Sequence, residues 1–535
     1  MRTLLINGKI YLEKGRFEEA LSLKEGFVES VGTTEMVITT RRPQDEVLDL
    51  GGKTVLPGFN DSHLHLFLLG EAMNSCNLNG ATSIDEIIER GKTYLSNSGS
   101  VKGIHGRGWN QDFFKTGELR LPRREDLDLI SADIPIVYER VCGHVAVGNT
   151  KAMEMAGIKE DTQIPGGTIE RSPEGILSGV VTENATYILA KSISQKSKAE
   201  KKNQFIQAGK YVLSQGITSV QSCDVSGEDF QKTFDWIREV YEEKTLPLRY
   251  RHQFNFQEIK NFRRYLETEY KNGKYLDGFY QKGSLKLFKD GSLGGRTALL
   301  SKFYADDPTT KGVEALEDHE LQDLFRLAHE HSIPVITHAI GDGAVESVLN
   351  AYENVLQGKD NTLRHGIVHN QITTKEQLDR IVKRDISVMA QPVFLDYDLH
   401  IVKKRVGEEL AKTSYAFNTL YQQGSLISIG TDAPVEDSNP FRNIYAAVTR
   451  MDHTGYPEGG YQPKERMTVE EAVDAYTYQG ARNQFQEDIK GKLLPGYYGD
   501  LVVLDRDIFT IDPADIPNTQ VTITIVDGKV VYRKE

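Results

Sequence analysis

Histidines at the ends of apolar runs are the residues of this sequence best suited to chemistry. His63 and His65 lie two positions apart in the segment FNDSHLH. Side chains two apart on a β-strand point to the same face, so this pair could bind one metal ion. The alternative is two histidines in a polar loop, and the pair alone does not decide between them.

Three further residues at the ends of apolar runs favour the metal interpretation. His338 ends IPVITH, His369 ends RHGIVH and Asp432 ends SLISIGTD. Imidazoles together with a carboxylate form a ligand set that suits zinc and is also compatible with iron, manganese or nickel. The three cysteines form no CxxC motif, which argues against a thiolate site. We predict a divalent metal, with zinc as the first candidate.

Lys286 lies in the apolar run SLKLF, where a charged side chain needs an explanation. A lysine that points into a protein interior is costly unless it is paired. One explanation is an ion pair with Asp290, and the other is a role in the site. Lys289 should point elsewhere on a strand, towards solvent or an inserted segment.

Eight strand-like runs supply the elements that would position these residues. Most of them end in a polar residue and are followed by a helix-like stretch. The runs are 59–65, 216–222, 248–254, 284–288, 333–338, 364–369, 386–392 and 425–432. Eight strands alternating with helices predict an α/β fold, the (β/α)8 TIM-like barrel, whose catalytic groups lie at the C-terminal strand ends.

The remaining segments predict two additions to the barrel. The terminal segments TLLINGKIYL and TITIVDGKVVYRKE each contain alternating strands around an Asn-Gly or Asp-Gly pair, which favours a β-hairpin turn. We expect residues 1–55 and 485–535 to form one small β-sandwich and 56–484 to form the barrel. The sequence between the first two barrel strands is much longer than one helix requires. Residues 70–200 should therefore be an insertion that covers the barrel mouth.

Charge and hydropathy exclude several classes of partner. With 64 basic and 77 acidic side chains, the net charge of -13 opposes binding to nucleic acid. No run of about 18 apolar residues predicts a membrane span, and the N-terminal segment does not read as a signal peptide. Widely spaced cysteines suit a reducing compartment. We expect a cytoplasmic protein that acts on a small molecule and forms, if anything, a homodimer.

Longer segments spread over nearly the whole chain resemble a known family. They are LPGFNDSHLH, GWNQ, GHVAVGNTKAMEMAGI, KLFKDGSLGGRTALL, THAIGDGAV, RHGIVHN, AQPVFL and IGTDAPVEDSNPF. This order and content resemble the amidohydrolase superfamily, and more closely its YtcJ-like branch, which includes N-substituted formamide deformylases. The resemblance implies a barrel flanked by a small β-sandwich, in agreement with the pattern of strands.

The resemblance also implies a ligand set for one or two metal ions. One ion would be held by His63, His65 and Asp432, and a second by His338 and His369. Lys286 would lie between them as a carbamate, because burial and nearby cations favour the neutral amine that adds carbon dioxide. A single-metal version remains open.

The implied activity is hydrolysis of a carbon–nitrogen bond other than a peptide bond, in an amide, N-formyl or cyclic amide group. The metal would lower the pKa of bound water from ~15.7 towards ~7, giving hydroxide, while Asp432 acts as general base and then acid. Ester or carbamate hydrolysis needs the same hydroxide. The alternatives are a mononuclear heterocycle deaminase, which Lys286 disfavours, and a non-catalytic ligand-binding barrel, which the complete ligand set disfavours.

Substrate recognition is less transferable from the resemblance than metal binding. Val368 stands where relatives commonly have Glu. On a strand it should point away from His369, so His369 can still bind the metal. A contact to the metal ligands or to the substrate that Glu would make is then missing. Weaker candidates for substrate binding are Trp109, Gln111, His144 and Arg296. The first three lie in the insertion, with Trp109 as an apolar wall and a structural role as the alternative for His144. Arg296 could bind a carboxylate through two hydrogen bonds or pair with Asp290.

Overall fold

A computed structural model describes residues 2–98, 102–140, 145–164, 167–172, 174–193, 196–270 and 278–535. The chain forms two compact units, of which the first combines Met1–Leu68 with Ile206–Glu535 and the second is Leu69–Phe205. The second unit is the predicted insertion after the first barrel strand. The predicted boundaries between the sandwich and the barrel stay a prediction, because both belong to the first unit.

An eight-stranded parallel sheet forms the centre of the first unit. Its strands are Phe59–Leu64, Ile217–Ser226, Arg249–Asn255, Tyr280–Phe288, Val335–Ala339, Gly366–His369, Ser387–Ala390 and Ile427–Ile429. Each strand pairs in parallel with the next one along the chain. Both faces of such a sheet are covered, which explains why the strands are nearly continuous apolar runs. The eight predicted strands are confirmed.

The sheet closes between its last and first strands. The backbone N–H of Asp432 donates to the carbonyl of His63 over 2.8 Å, and that of His65 donates to the carbonyl of Ala433 over 2.8 Å. The Asp61 carboxylate also accepts hydrogen bonds from the backbone N–H and the hydroxyl of Thr431. The predicted TIM-like barrel is therefore confirmed, and its C-terminal strand ends meet at one mouth.

Helices follow most barrel strands and bury one apolar side. In Phe230–Glu242, for example, the buried residues Phe234, Ile237 and Tyr241 recur at helical spacing. The α-helices are Thr34–Thr39, Leu66–Met73, Ile84–Asn97, Arg124–Asp128, Thr150–Met155, Asn184–Ala190, Lys198–Ser214, Phe230–Glu242, Ile259–Tyr265, Asp318–Glu330, Asp342–Leu356, Lys375–Lys383, Leu395–Asp398, Val402–Ala411, Phe417–Gln422, Pro440–Thr449, Val469–Tyr476 and Tyr478–Asn483. Within the described ranges, none of the helices has the length and apolar character needed to cross a membrane.

Two further sheets in the first unit together contain strands from both ends of the chain. The four-stranded sheet contains Phe27–Gly32, Ala20–Lys24, Arg2–Ile6 and Glu46–Asp49. The six-stranded sheet contains Lys529–Arg533, Val521–Val526, Leu501–Leu504, Thr54–Pro57, Lys9–Glu13 and Arg16–Glu18. Apolar residues of both sheets, including Leu21, Val55 and Leu501, pack in one core. This is the predicted sandwich.

Only one of the two predicted terminal hairpins forms. Val521–Val526 and Lys529–Arg533 pair around Asp527 and Gly528, whose φ values of 53° and 70° are those that a type I′ turn needs. The Asn7–Gly8 hairpin was predicted wrongly, because Arg2–Ile6 and Lys9–Glu13 belong to different sheets. There Gly8 has a different role, since a Cβ would lie 2.4 Å from the Leu50 side chain.

The second unit has a sheet and cores of its own. Its strands are Cys76–Asn77, Ile104–Trp109, Ile136–Arg140, Val145–Gly148, Gly167–Arg171 and Leu177–Glu183. Trp109 and Tyr138 pack in one apolar cluster, and Val137 and Val181 in another. The insertion is thus a folded unit with a buried interior of its own.

Candidate metal centre

Two imidazoles at the C-terminal end of the first barrel strand face one carboxylate oxygen. His63 is buried and His65, which directly follows the strand, is partly exposed. His63 Nε2 lies 3.4 Å and His65 Nε2 lies 3.3 Å from Asp432 Oδ1. Both rings therefore lie on the same side, next to Asp432, which is three residues beyond the end of the eighth strand.

His369 joins this group from the sixth strand. Its Nε2 lies 4.0 Å from Asp432 Oδ2, and one ligand atom from each of His63, His369 and Asp432 can be chosen within 4.8 Å of the others. His369 and Asp432 have φ values of 78° and 57°, which are uncommon for residues other than glycine. Such backbone conformations are concentrated at functional sites, where the surrounding structure supports the strain.

Hydrogen bonds on the outer side of three imidazoles determine which nitrogen faces the centre. The Nδ1 contacts are His63 with Gln253 Oε1 at 2.5 Å, His65 with the Cys223 carbonyl at 2.9 Å, and His369 with Gln391 Oε1 at 2.7 Å. Since these oxygens only accept, each Nδ1 donates, and Nε2 of the neutral rings His63 and His369 keeps its lone pair. Gln253 Nε2 donates to the Ser62 carbonyl over 2.9 Å, which fixes the orientation of that amide. Metal-binding histidines are commonly supported in this way.

Burial and neighbouring charges set the protonation states in the group. Burial lowers the pKa of His63 and of His369 well below the ordinary value, so both are neutral at pH 7. Burial also acts to raise the pKa of Asp432, but the hydrogen bond with His65 and the neighbouring imidazoles lower it below its usual range. Burial acts to lower the pKa of His65, but its bonds to Asp432 and Cys223 raise it above the ordinary value. Metal binding at His65 would therefore displace a proton.

Two atoms at the centre of this group are suited to a cation. His63 Nε2 is buried and has no hydrogen-bond partner in the part of the chain that the structure describes, and the buried Asp432 Oδ1 faces the Nε2 atoms of His63 and His65. Buried polar atoms without partners are costly, and a divalent ion would satisfy both of these. Imidazole nitrogens with one carboxylate are a set that zinc accepts. The residues present thus fit a metal ion.

His338 approaches the group in a different orientation. Its ring centre lies 4.4 Å from that of His369. However, its Nε2 lies 2.9 Å from the Gly291 carbonyl and 3.4 Å from Asp290 Oδ1. Because Nε2 donates to the carbonyl, Nδ1 is the nitrogen that keeps its lone pair. Any metal bond of His338 would therefore use Nδ1.

Lys286 is fully buried on the fourth strand, on the same side of the barrel wall as the histidines. Burial lowers its pKa to about 8. Its Nζ lies 3.4 Å from the Leu287 carbonyl and 3.6 Å from the centre of the Phe288 ring. Among the described residues it forms no ion pair with Asp290 within 4.0 Å, so that explanation is corrected. The Asp290 carboxylate instead accepts hydrogen bonds from the backbone N–H groups of Leu299, Ile340 and Gly341.

Lys289 is also buried, contrary to the prediction of a contact with solvent or the insertion. The fourth strand ends at Phe288, so strand alternation does not extend to Lys289. Its Nζ donates to Asp318 over 2.6 Å, to the Leu316 carbonyl over 2.7 Å and to Glu314 over 2.5 Å. Two carboxylates and a carbonyl compensate for the burial of this charge.

Val368 occupies an apolar packing position. The sheet register pairs it with His338, and paired residues of neighbouring strands point to the same face. It packs with Ile336 and Met389 in a small buried cluster. The alternation of a regular strand does not extend to His369, because its φ is positive. The expectation that Val368 points away from His369 therefore stays a prediction.

Two predicted substrate residues of the insertion, Trp109 and Gln111, have partners within their own unit. Trp109 is fully buried in the core, and its Nε1 donates to the Tyr138 carbonyl over 3.2 Å. Trp109 thus packs in the core of its own unit, and its role as an apolar wall for a substrate stays a prediction. Gln111 Oε1 accepts a hydrogen bond from Arg140 Nε over 2.9 Å. The predicted residue His144 lies outside the described residues.

Arg296 is paired with Asp306, not with the predicted Asp290. Its Nε and Nη2 donate to the two oxygens of the Asp306 carboxylate over 3.3 Å and 3.0 Å. Arg405 donates to the same carboxylate. The pair of nitrogen atoms that would bind a substrate carboxylate is thus engaged within the loop that follows the fourth strand.

Sequence reasoning missed the two glutamines that support the histidines. Gln253 lies on the third strand and Gln391 directly follows the seventh, so both are in predicted strand segments. Their polar type within an apolar run was the available signal. Their partners, His63 and His369, lie on other strands, so the contacts are visible only in the folded chain.

Comparisons with known proteins show what the chain is similar to. The profile described as "Amidohydrolase family" matches residues 46–532. The putative amidohydrolase YtcJ of Bacillus subtilis (strain 168) is 32% identical over 541 residues, covering 100% of both chains. The N-substituted formamide deformylase of Arthrobacter pascens is 26% identical and covers 100% of this chain and 99% of its own. An uncharacterized metal-dependent hydrolase from Pyrococcus furiosus has a TM-score of 0.78 at 31% identity, covering 95% of this chain and 100% of its own.

Proposed function

The chain belongs to the amidohydrolase family, and from this premise we propose that it hydrolyses a non-peptide carbon–nitrogen bond of a small molecule with the help of a divalent metal. The bond would be that of an amide, an N-formyl group or a cyclic amide. The observation that carries the proposal is the group of His63, His369 and Asp432 at the barrel mouth, with ligand atoms within 4.8 Å of one another.

We assign the ligands to the ions as the family resemblance implies, and we take the binding nitrogen of each ring from its hydrogen bonds. His63 and His65 would bind one ion through Nε2 together with Asp432, and zinc is the first candidate. His369 Nε2 and His338 Nδ1 would bind a second ion, with Lys286 between the two. The ion would polarise a carbonyl group and lower the pKa of a water molecule. The carboxylate of Asp432, ionised at pH 7, would take the water proton and return it to the leaving amine.

Two-metal occupancy depends on a carbamate at Lys286. Complete burial and a pKa lowered to about 8 support the neutral amine that reacts with carbon dioxide. The contact with the Phe288 ring works in the opposite sense, because an aromatic face favours a cation. We predict that Lys286→Ala loses the second ion and most activity, and that short carboxylic acids with added metal partly restore both. No rescue in a folded variant would indicate a plain lysine.

Elemental analysis of the untagged protein tests the metal proposal. We expect one to two equivalents of a transition metal, reduced in Asp432→Ala and in His65→Ala. His319→Ala is the matched control, since this histidine is exposed and forms its ion pair with Glu317 at the surface. A folded protein that takes up no metal would contradict the proposal and leave a non-catalytic ligand-binding barrel. Metal-loaded protein would then be assayed with N-formyl, N-acyl and cyclic amide compounds.

A mononuclear heterocycle deaminase is the second candidate function. The grouping of His63, His369 and Asp432 around one point, with His338 turned towards Gly291, favours this alternative. A deaminase would release ammonia from an amino-substituted heterocycle and would need only one ion. Ammonia release at one equivalent of metal, together with full activity of Lys286→Ala, would establish it in place of amide hydrolysis.

We also propose a cytoplasmic protein that acts as a homodimer or a monomer on a small molecule, without nucleic acid. Cys76 and Cys223 are both buried free thiols in the described chain, which supports a reducing compartment. Cell fractionation and light scattering would test location and assembly.

A further inference from the structure

Two side chains in the second half of the second barrel strand contact the helix that follows the first strand. Ser222 Oγ accepts a hydrogen bond from the backbone N–H of Leu66 over 2.8 Å, and Asp224 Oδ1 accepts one from the backbone N–H of Phe67 over 2.9 Å. These are the first N–H groups of the helix Leu66–Met73, and such groups have no acceptor within their own helix. The second strand thus supplies the N-terminal cap of this helix.

A β-bulge brings the capping groups to the helix. Between the register pairs formed by Ser222 and Val225, the second strand has two residues, Cys223 and Asp224, where the third strand has only Gln253. Bulges are rare between parallel strands, and they are frequent next to active sites, where they change the direction of a side chain. The irregularity here lies beside the candidate metal centre.

The same irregularity contains the outer partners of both histidines of the first strand. The Cys223 carbonyl accepts from His65 Nδ1 over 2.9 Å, and Gln253 Oε1 accepts from His63 Nδ1 over 2.5 Å. His65 depends more on such contacts, because it lies beyond the end of the strand and 15% of its side chain is exposed, against 1% for His63. Its own backbone N–H donates to the Ala433 carbonyl, and the next two N–H groups donate to the second strand.

Asp224 is itself held by two hydroxyl groups. Ser222 Oγ donates to Asp224 Oδ2 over 2.6 Å, and Tyr250 Oη of the third strand donates to the same oxygen over 2.8 Å. Together with the N–H of Phe67, three donors surround a half-buried carboxylate and compensate for its lost contact with water. A carboxylate is also favourable at a helix N-terminus. The support behind the helix is therefore fixed from two neighbouring strands.

We propose that Ser222 and Asp224 are positioning residues that hold His65 in place to bind the metal ion. They act through the backbone of Leu66 and Phe67 and need no contact with the ion or the substrate. The inference rests on the proposed function, because it takes His65 as a metal ligand. Without the two side chains, the first turn of the helix would lose its acceptors and the imidazole its fixed position.

Zinc affinity, measured by chelator competition on the full chain, tests this role. Asp224→Ala should weaken zinc binding about tenfold, at the lower end of the effect of outer partners, because the carboxylate contacts the backbone of Phe67 and not the ring of His65. Asp224→Asn keeps an acceptor for this N–H and should retain most of the affinity. Ser222→Ala is a milder change, with a smaller loss, and keeps the test decisive if Asp224→Ala does not fold.

A double-mutant cycle separates positioning of His65 from general stability. Once His65→Ala has removed the ring, Asp224→Ala should change zinc affinity by less than about twofold. In His369→Ala, which in the proposed assignment leaves the ion of His63 and His65 in place, Asp224→Ala should keep its full effect. The visible absorption of the cobalt-substituted protein, which depends on the number of ligands, should shift in Asp224→Ala towards that of His65→Ala.

Glu465→Ala is the matched control. This buried carboxylate likewise accepts from a backbone N–H and a hydroxyl group in the first turn of a helix, those of Thr419 in Phe417–Gln422. That helix precedes the eighth strand, and none of the candidate ligands is on it. We expect Glu465→Ala to leave zinc affinity and the cobalt spectrum unchanged.

The outcomes separate this inference from the proposed function. Unchanged zinc affinity in Asp224→Ala and Ser222→Ala, or an equal loss with and without His65, would overturn the positioning role and leave the metal proposal intact. A loss of the same size in Glu465→Ala would also overturn it. Absence of zinc binding by the original protein would overturn both proposals. A loss that requires His65 and is mostly absent in Asp224→Asn supports the positioning role.

Discussion

At the scale of single residues, the candidate centre depends on which nitrogen of each imidazole is free. Gln253, Gln391 and the Cys223 carbonyl all accept from Nδ1, so three Nε2 atoms point towards the centre, and that of His65 becomes a ligand once its proton is displaced. These partners are neutral, whereas a carboxylate in the same position would make the imidazole more basic. The residues behind the ligands therefore affect metal affinity as well as geometry.

The contact between Gln253 and His63 gives a testable consequence. Gln253→Leu should weaken zinc binding about 10- to 100-fold, because Nδ1 loses its acceptor and the ring its fixed orientation. Gln253→Glu should lose less affinity than Gln253→Leu, since a carboxylate oxygen accepts from Nδ1 and makes the imidazole more basic, while the bond to the Ser62 carbonyl is lost. Chelator competition measures both affinities.

Gln221→Leu provides the control for the Gln253 variants. This buried glutamine of the second strand donates to the Gly480 carbonyl, away from the histidines. Equal weakening in Gln221→Leu and Gln253→Leu would mean that Gln253 acts only through general stability.

At the scale of elements, the closure of the barrel places the ligands of the first and eighth strands together. Gly430 follows the eighth strand and packs against the first strand near His63. A Cβ at Gly430 would lie 2.6 Å from the backbone nitrogen of His63 and 2.9 Å from Asp61 Oδ1. This close approach makes the seam between the two strands sensitive to any added atom.

Gly430→Ala should therefore destabilise the protein by about 1–3 kcal/mol and weaken metal binding, since overpacking would separate His63 from Asp432. Thermal unfolding and zinc titration measure the two effects. Gly294→Ala is the matched control, because a Cβ there would lie 3.5 Å from Tyr397, an ordinary contact. Normal zinc affinity in Gly430→Ala would show that the seam tolerates the methyl group.

A buried carboxylate connects the loops that follow the sixth and seventh strands. Asp398 accepts hydrogen bonds from Tyr415 over 2.5 Å and from Gln371 over 3.1 Å. Burial raises its pKa to about 6. The folded state thus binds its proton more tightly than the unfolded state, whose pKa is about 3.9. The stabilising contribution is complete below pH ~4 and is lost as the pH rises through about 6.

Asp398→Asn removes this titration while keeping an acceptor for both bonds. The melting temperature of the variant, minus that of the original protein, should rise between pH 4 and pH 7. Both proteins would be measured with a chelator, so that metal release does not contribute. A difference that stays constant over this range would contradict the raised pKa of Asp398.

At the scale of the whole molecule, the metal should connect the two ends of the barrel sheet. A ligand that binds only the folded state stabilises it by mass action, by about 2.7 kcal/mol at a concentration 100 times its Kd. Zinc should accordingly raise the melting temperature of the protein, and this rise should disappear in His63→Ala and persist in His319→Ala. An equal rise in all three proteins would place the zinc elsewhere.

The sequence by itself determined the eight barrel strands, the sandwich from both termini, the insertion and the family. These features depend on local patterns, because apolar runs, strand alternation and turn residues can each be recognised within a few neighbouring positions. The same patterns placed His63, His65, His338, His369 and Asp432 at strand ends. The assignment of these residues to particular ions stays a prediction.

Only the tertiary structure decided which side chains meet. The partners of His63 and Arg296, the burial of Lys289 and the core position of Trp109 depend on neighbours far along the chain. Asn7–Gly8 has the composition of a hairpin turn, yet its flanking strands join different sheets. Local sequence cannot determine such contacts, because the free energy that selects them comes from packing between distant segments and not from the conformational preference of a few residues.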